Sequence, residues 1–404
     1  MAMVLHDLDH LVETVASDVV RWRRHLHQHP ELSFEERKTA QFVYHTLQAF
    51  GGFELTRPTR TSVVARLHGL RPGGVVALRA DMDALPIQEE NEFEFVSQNP
   101  GVMHACGHDG HTAVLLAVAK VLSRMREEIA GEVRFIFQHA EEVYPGGAQE
   151  LVDLGVLEGV DAVLGLHLWA SLPCGQVALR PGHLMAAPDT FYLTVRGQGG
   201  HAAQPHLTVD PISVAAQVIT NLQHVVSRYN DPLDPLVLSV TQIAGGSTTN
   251  VIPNEVQMSG TVRSFKQELR ESAPVWMERV IRGVTEAHGA DYEFRYEYGY
   301  RPVINDEKLT QTLRQTLTRV FGPGVVVDAV QTMGGEDFSA YQQAAPGTFF
   351  FVGAGNPDKG IRYPHHHPRF TVDEAALPIA VKAMLAGALR VLETASARTD
   401  RTEG

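Results

Sequence analysis

Apolar residues recur at helical spacing near the start of the chain, where Leu8, Leu11, Val12, Val15, Val19, Trp22 and Leu26 form one stripe. The stripe predicts a helix over residues 7–27, stopped by Pro30. Ala40, Val43, Leu47 and Phe50 predict a second helix, opened by Ser33 and Glu36 as a capping box and closed by Gly51 and Gly52. Two strands follow, over 62–67 and 75–80, joined by the turn-prone Arg71-Pro72-Gly73-Gly74. Val114, Leu115, Val118 and Leu122 mark a further helix, residues 133–137 a strand, the stretch after Gly146 and Gly147 a helix, and residues 162–166 a strand. Strands and helices that alternate in this way predict an open α/β sheet.

The pattern changes at Pro188. Phe191, Leu193 and Val195 alternate as in a half-buried strand, and Asp210-Pro211 opens a helix that reaches Tyr229. Strands with Leu236, Leu238 and Val240 and with Val256, Met258, Gly260 and Val262 follow, then a helix over 266–287 and a strand with Tyr292, Phe294, Tyr296 and Tyr298. That β-α-β-β-α-β order belongs to the ferredoxin-like split unit. The expected fold class is therefore α/β, a domain with a mixed sheet over 1–187 and 300–404, carrying an inserted ferredoxin-like domain over 188–299. Hinges are expected at Ala186-Ala187-Pro188 and Tyr300-Arg301-Pro302. A helix over 306–321, a strand over 325–327, a helix opened by residues 333–338, a strand over 348–352, a helix over 373–394 and a frayed polar tail over 395–404 complete the expectation.

Composition narrows the function. The chain has 404 residues and a formal net charge of −13, with Lys and Arg scattered, so no nucleic-acid surface is expected. No apolar run reaches the roughly 18 residues of a membrane span, and the first residues lack a signal-peptide pattern. Two cysteines, Cys106 and Cys174, make no disulfide framework. A cytoplasmic location with reduced thiols is the expectation.

The chemistry is concentrated in His104-Ala105-Cys106-Gly107-His108-Asp109-Gly110-His111, which packs three imidazoles, a thiol and a carboxylate into eight residues. Neutral imidazole and thiolate are donors that divalent transition metals prefer. Solvated loop histidines beside a buried cysteine are the bland alternative. Other candidates lie where strands end, the position at which open α/β sheets hold ligands. Asp81 and Asp83 follow one strand, with a surface turn as the competing reading; Glu141 and Glu142 follow another; His167 follows a third. Adjacent glutamates project differently, so one can bind metal while the other moves protons. His25, His27 and His29 read as cations suited to a helix C-terminus.

Taken together, the 104–112 stretch, Glu141-Glu142, Gly165-Leu166-His167, Gly199-Gly200-His201-Ala202-Ala203 and His365-His366-His367-Pro368 resemble the M20 metallopeptidase family. The branch resembled is that of hippurate hydrolases, N-acyl-amino-acid deacylases and plant auxin-conjugate hydrolases, and the likeness runs from Arg23 to Glu374. The resemblance implies that Cys106, His108, Glu142, His167 and His366 bind two divalent ions, Zn or Mn with Co or Ni as alternatives, and that Glu141 is the general base. His366 follows from its place two positions before the proline; His365 and His367 remain alternatives. Asp81 and Asp83 occupy an acidic motif that orients a ligand or coordinates directly. His104 and His111 then read as supporting residues, with Asp109 orienting a neighbour.

The implied reaction is hydrolysis of the amide of an N-acyl amino acid. His201, in a glycine-rich turn of the insertion, is implied to assist the oxyanion in a neighbouring subunit's site, with an ordinary turn histidine as the alternative. Asn250 and Arg263 are candidates to clamp the substrate carboxylate, with a surface salt bridge competing for Arg263. Glu336 resembles the family's active-site loop, with helix capping competing. The resemblance makes 1–187 with 300–404 the catalytic domain and the 188–299 insertion a lid or dimerisation domain, so a homodimer or higher homo-oligomer through the insertion is expected. The rival readings are a dipeptidase or carboxypeptidase on the same metals, and a non-catalytic metal-binding regulatory protein.

Overall fold

A computed structural model of the chain describes residues 7–402, with side chains described as far as residue 395. Residues 1–6 and the end of the expected tail lie outside that range. The chain forms two compact units. One takes the chain up to Leu184, Ile304–Val330 and the chain from Asp337 on; the other takes Met185–Val303 and Gln331–Glu336.

The first unit is built on an eight-stranded mixed sheet. Its spatial order is Glu54–Thr56, Val63–His68, Ala130–Gln138, Arg71–Asp81, Ala162–Pro173, Gly347–Gly355, Val177–Leu179 and Val326–Asp328. Arg71–Asp81 pairs in parallel with both its neighbours, whereas Val63–His68 runs antiparallel to Ala130–Gln138. All nine positions of Gly347–Gly355 are buried, which a strand reaches only with both sheet faces covered. Helix Ala376–Thr402 supplies part of that cover, packing on Arg71–Asp81 and Ala162–Pro173, and His108–Arg124 packs on Arg71–Asp81.

Several local expectations change. The stripe over 7–27 divides into Leu8–Glu13 and Ala16–Gln28. Thr14 ends the first piece, its hydroxyl donating to Leu11 O at 2.7 Å in competition with the helix ladder. Leu8, Val12, Val15 and Val19 stay buried together across the break. The capping box does not form: helix Arg37–Phe50 starts past Ser33, whose hydroxyl donates to Asp83 Oδ2 at 2.7 Å. Glu31 serves the first turn instead, accepting the Thr39 N–H at 2.9 Å. Arg71–Gly74 belongs to a strand with an irregular register rather than to a turn between neighbouring strands. The final helix continues to Thr402, beyond the expected end at 394.

The second unit holds a four-stranded antiparallel sheet in the order Leu236–Ala244, Glu255–Ser264, Ala187–Arg196, Asp291–Glu297. Phe191, Leu193 and Val195 point inward at period two and pack with Val214 and Val218 of helix Pro211–His224 and Met277 and Ile281 of helix Gln267–Ala287. Asp210 caps Pro211–His224 by accepting the Ile212 N–H at 2.9 Å. Asp189 is an anchor with no sequence signal: buried itself, it receives Arg270 Nη2, also buried, at 2.6 Å, Tyr296 Oη at 3.0 Å and the Gly299 N–H at 2.9 Å.

Candidate functional site

Helix His108–Arg124 opens inside the histidine-rich stretch. Gly107 at its N-cap has φ +98, a left-handed conformation that glycine takes freely, and the turn sends His108 into the helix while Cys106 stays on the loop. His108 Nδ1 meets Asp83 O at 3.0 Å and Asp83 Oδ1 at 3.2 Å, which fixes the ring. Its Nε2 is buried without a hydrogen-bond partner, 3.7 Å from Asp81 Oδ2 and 3.9 Å from Glu142 Oε1, which is also buried and makes no hydrogen bond. Both atoms aim at one small volume.

The sheet delivers the remaining donors. Arg79 and Gly165 are the last paired positions between their strands, and just beyond them lie Asp81 and His167. His167 is interior to a strand that runs on to Pro173, opposite Phe351, rather than at a strand end. Its Nδ1 donates to Leu168 O at 2.9 Å, leaving Nε2 3.4 Å from Cys106 Sγ. His366, with φ +65, places Nε2 3.3 Å from Glu142 Oε1. Its neighbours turn elsewhere. His365 Nε2 accepts the Ala170 N–H at 3.1 Å and its ring packs against Trp169 and Phe370, though its Nδ1 lies 3.9 Å from Cys106 Sγ. His367 Nδ1 accepts the Arg369 N–H and its ring stacks on Tyr363.

Donor atoms within 4.8 Å of one another form the groups Cys106–His108–His167 and Cys106–Glu142–His366, which share the thiol. Glu141 joins His108 and Glu142 in a further group, and Asp81 joins His108 and His111. The electrostatics fit a cation. Burial works against charge on His108, yet Asp81, Asp83 and Glu142 pull its imidazole up to about 10. Burial, followed by the carboxylates of Glu142, Glu141 and Asp81, drives the Cys106 thiol up. Thiol, imidazole and carboxylate in one anionic cluster are a donor set for borderline divalent metals.

Surrounding residues hold these donors. His111 donates from Nδ1 to Asp81 Oδ1 at 2.7 Å and accepts the Leu168 N–H on Nε2 at 2.9 Å, tying helix to strand. Asp109 turns away and accepts Arg23 Nε at 2.9 Å and His27 Nδ1 at 2.8 Å. His27 is thus a buried partner, not a solvated helix-end cation. His104 is buried with neither ring nitrogen bonded, and burial pushes it down to about 4. Burial disfavours charge on Asp81, but His108, Arg79 and His111 hold its carboxyl well below the usual range.

Sequence reasoning passed over Arg79, Gln138 and Asp337. Arg79, fully buried, donates to Gln138 Oε1, Asp81 Oδ2 and Asp337 Oδ1 at 2.7–2.8 Å. A lone arginine in the otherwise apolar run 75–80 is the available signal, since a buried charge needs partners. Glu36 does not cap the helix that its spacing from Ser33 predicts; its Oε1 accepts the Ala140 N–H at 2.7 Å.

The other expected residues lie on the second unit. Strands Gly200–His201 and Val251–Ile252 pair, which brings His201 and Asn250 side by side: the Ala202 N–H donates to Asn250 O at 3.1 Å. His201 Nδ1 accepts the Ala203 N–H at 3.1 Å, which puts the ring proton on an exposed Nε2. Arg263, half-buried on strand Glu255–Ser264, donates to Thr261 Oγ1 and forms no ion pair among the described residues. Burial lowers its affinity for the proton against the pull of Asp189. Glu336 is buried, and helix Ser339–Ala344 starts beyond it with Phe338 at the N-cap.

Comparison with known proteins agrees with this geometry. The model of peptidase family M20/M25/M40 matches residues 77–390. The chain is 63% identical over 303 residues to an N-acyl-L-amino acid amidohydrolase of Geobacillus stearothermophilus, covering 75% of this chain and 82% of that protein. It is 40% identical to thermostable carboxypeptidase 1 of Saccharolobus solfataricus, covering 92% and 97%. A solved Bacillus subtilis structure, described as a dinuclear metal-binding peptidase of the M20 family, superposes with a TM-score of 0.82 at 38% identity, covering 95% of this chain and 99% of that one. A family match across most of the chain, on residues that gather into shared donor groups, has one reading: the chain belongs to peptidase family M20/M25/M40.

Proposed function

We propose that the protein is a metal-dependent amidohydrolase that cleaves N-acyl amino acids to a free amino acid and a carboxylic acid. Cys106, His108, Glu142, His167 and His366 would hold two divalent ions, Cys106 being the residue that the two donor groups have in common. Such ions activate water and polarise the scissile carbonyl. Zinc or manganese is the proposed occupant, with cobalt or nickel as alternatives; the thiolate and imidazole donors favour zinc, and manganese rests on the family resemblance. Asp83 fixes the His108 ring and Asp81 acts through His111 and His108.

Glu141 takes the proton of the attacking water and returns it to the departing amine nitrogen. The observation that carries this role is that Glu141 shares a donor group with His108 and Glu142, while Glu142 is also grouped with Cys106 and His366. The pair thus supplies a ligand and a further carboxylate beside it. On the second unit, His201 presents Nε2–H as a donor for the developing oxyanion. Arg263 and Asn250 clamp the α-carboxylate, for which an arginine without an ion pair among the described residues is suited. Glu336 completes the substrate side. The inserted segment over 188–299 acts as lid and as the contact of a homodimer, in which His201 serves the neighbouring site. A cytoplasmic location completes the reading.

Similarity to a carboxypeptidase supports a second reading, in which the same base and ligands act on short peptides. One assay separates them. Metal-loaded protein is offered N-acetyl, N-benzoyl and indole-acyl amino acids alongside dipeptides. Release of free amino acid from the acyl compounds is expected, and Glu141→Gln lowers kcat by about 10²–10⁴-fold with metal content unchanged. Turnover of dipeptides alone establishes the peptidase reading. No turnover of any substrate by fully loaded protein establishes a binding protein.

A further inference from the structure

Glu36 is fully buried at the start of helix Arg37–Phe50, but its side chain does not cap that helix. Oε1 instead accepts two backbone N–H groups, from Phe34 at 3.0 Å and from Ala140 at 2.7 Å. Oε2 is buried with no hydrogen-bond partner. The carboxyl is therefore committed to that pair of bonds, although a buried oxygen is left without a partner. Phe34 and Ala140 have φ of +68° and +49°, and His366 is the third non-glycine residue with positive φ among the described residues. Alanine disfavours that region, so something must hold it there.

Ala140 immediately precedes Glu141 and Glu142. Its other side is also tied: Ala140 O accepts the Gly147 N–H at 2.9 Å, and a Cβ at Gly147 would lie 2.1 Å from His139 O. Two residues on, the Glu142 N–H donates to Asp83 Oδ2 at 3.0 Å. The Ala140 N–H is a further anchor of this short loop, and Glu36 accepts it from a distant part of the chain.

We infer that Glu36 is a positioning residue for the reaction: its carboxyl clamps Ala140 in the left-handed conformation from which Glu141 is aimed at its work. The inference rests on Glu141 being the base. Burial, then the nearby Asp83, pushes the Glu36 carboxyl up to about 8, so an uncharged acceptor serves in this place. Glutamine has the same reach and an oxygen that can accept both bonds.

The test compares Glu36→Ala and Glu36→Gln in the metal-loaded enzyme, with Glu141→Gln alongside. Glu36→Ala is expected to lower kcat by about 10–100-fold, with KM within about twofold and metal content unchanged, because a displaced base costs rate rather than binding. Glu36→Gln is expected to keep kcat within about threefold of the unsubstituted enzyme. Should Glu36→Ala not fold, Glu36→Asp takes its place with the same expected split, since it keeps a buried carboxyl one methylene too short for the Ala140 N–H. Unchanged kcat in the Ala or Asp variant overturns the inference, as does a loss that follows metal content, or a Gln variant as slow as the Ala variant. If Glu141→Gln is inactive while the Glu36 variants turn over normally, only the positioning role falls. If Glu141→Gln stays active, the base assignment and the clamp fall together.

Discussion

Cys106 Sγ lies 3.4 Å from His167 Nε2 and stands in both donor groups, so one side chain joins two sets of ligands. A thiolate can bridge two ions; a serine hydroxyl, harder and protonated at neutral pH, does so poorly. Cys106→Ser is therefore expected to lower the metal retained after dialysis by about one ion per chain, together with most of the turnover. Elemental analysis of the dialysed protein checks this, and an unchanged metal content would remove the sharing role. At the same scale, the difference between His365, His366 and His367 is a matter of backbone angle. Residue 366 adopts φ +65 and swings its ring to Glu142, while the His365 ring packs tilted against Trp169 and the His367 ring stacks on Tyr363.

Strand Ala187–Arg196 shows what an element needs when a charge sits inside it. Its alternation buries Asp189 beside Phe191, and the carboxylate is tolerable because Arg270, Tyr296 and Gly299 all donate to it. The Asp189 cluster joins three segments of the second unit. Asp189→Ala strands the Arg270 guanidinium, also buried, and is expected to cost about 3–5 kcal/mol. Hydrogen exchange over 187–196 and 267–287, read against urea unfolding, checks it; protection equal to that of the unsubstituted protein would mean that packing alone holds the unit. Helix Arg37–Phe50 gives the complementary case. Ser33 and Glu36 have the spacing of a capping box, but tertiary partners claim both side chains and Glu31 takes over the first turn.

On the scale of the whole molecule, the proposed dimer makes a distinct prediction. Glu141→Gln and His201→Ala are each expected to be nearly inactive as pure proteins. If His201 acts in the neighbouring site, unfolding and refolding the two together restores about a quarter of full activity, since half the dimers are mixed and each has one intact site. Activity that stays at the level of the separate variants would place His201 in its own subunit's chemistry or outside it. Among the described residues no helix is long and apolar enough to cross a membrane. The order of strands and helices and the change of pattern at Pro188 were legible in the sequence, because periodicity is a local property; Cys106, His108, Glu142, His167 and His366 were singled out by the family resemblance, and the fold gathers their donor atoms into groups. The supports of that site were not legible. Arg79 with Asp337, Asp109 with Arg23 and His27, and Glu36 with Ala140 are contacts between residues far apart in the chain, and only the folded backbone decides that a carboxylate near one helix start meets the loop before Glu141. Sequence determined which atoms can bind and react; tertiary structure decided how they are held, because a buried polar group takes its partner from whatever the fold brings within hydrogen-bond distance.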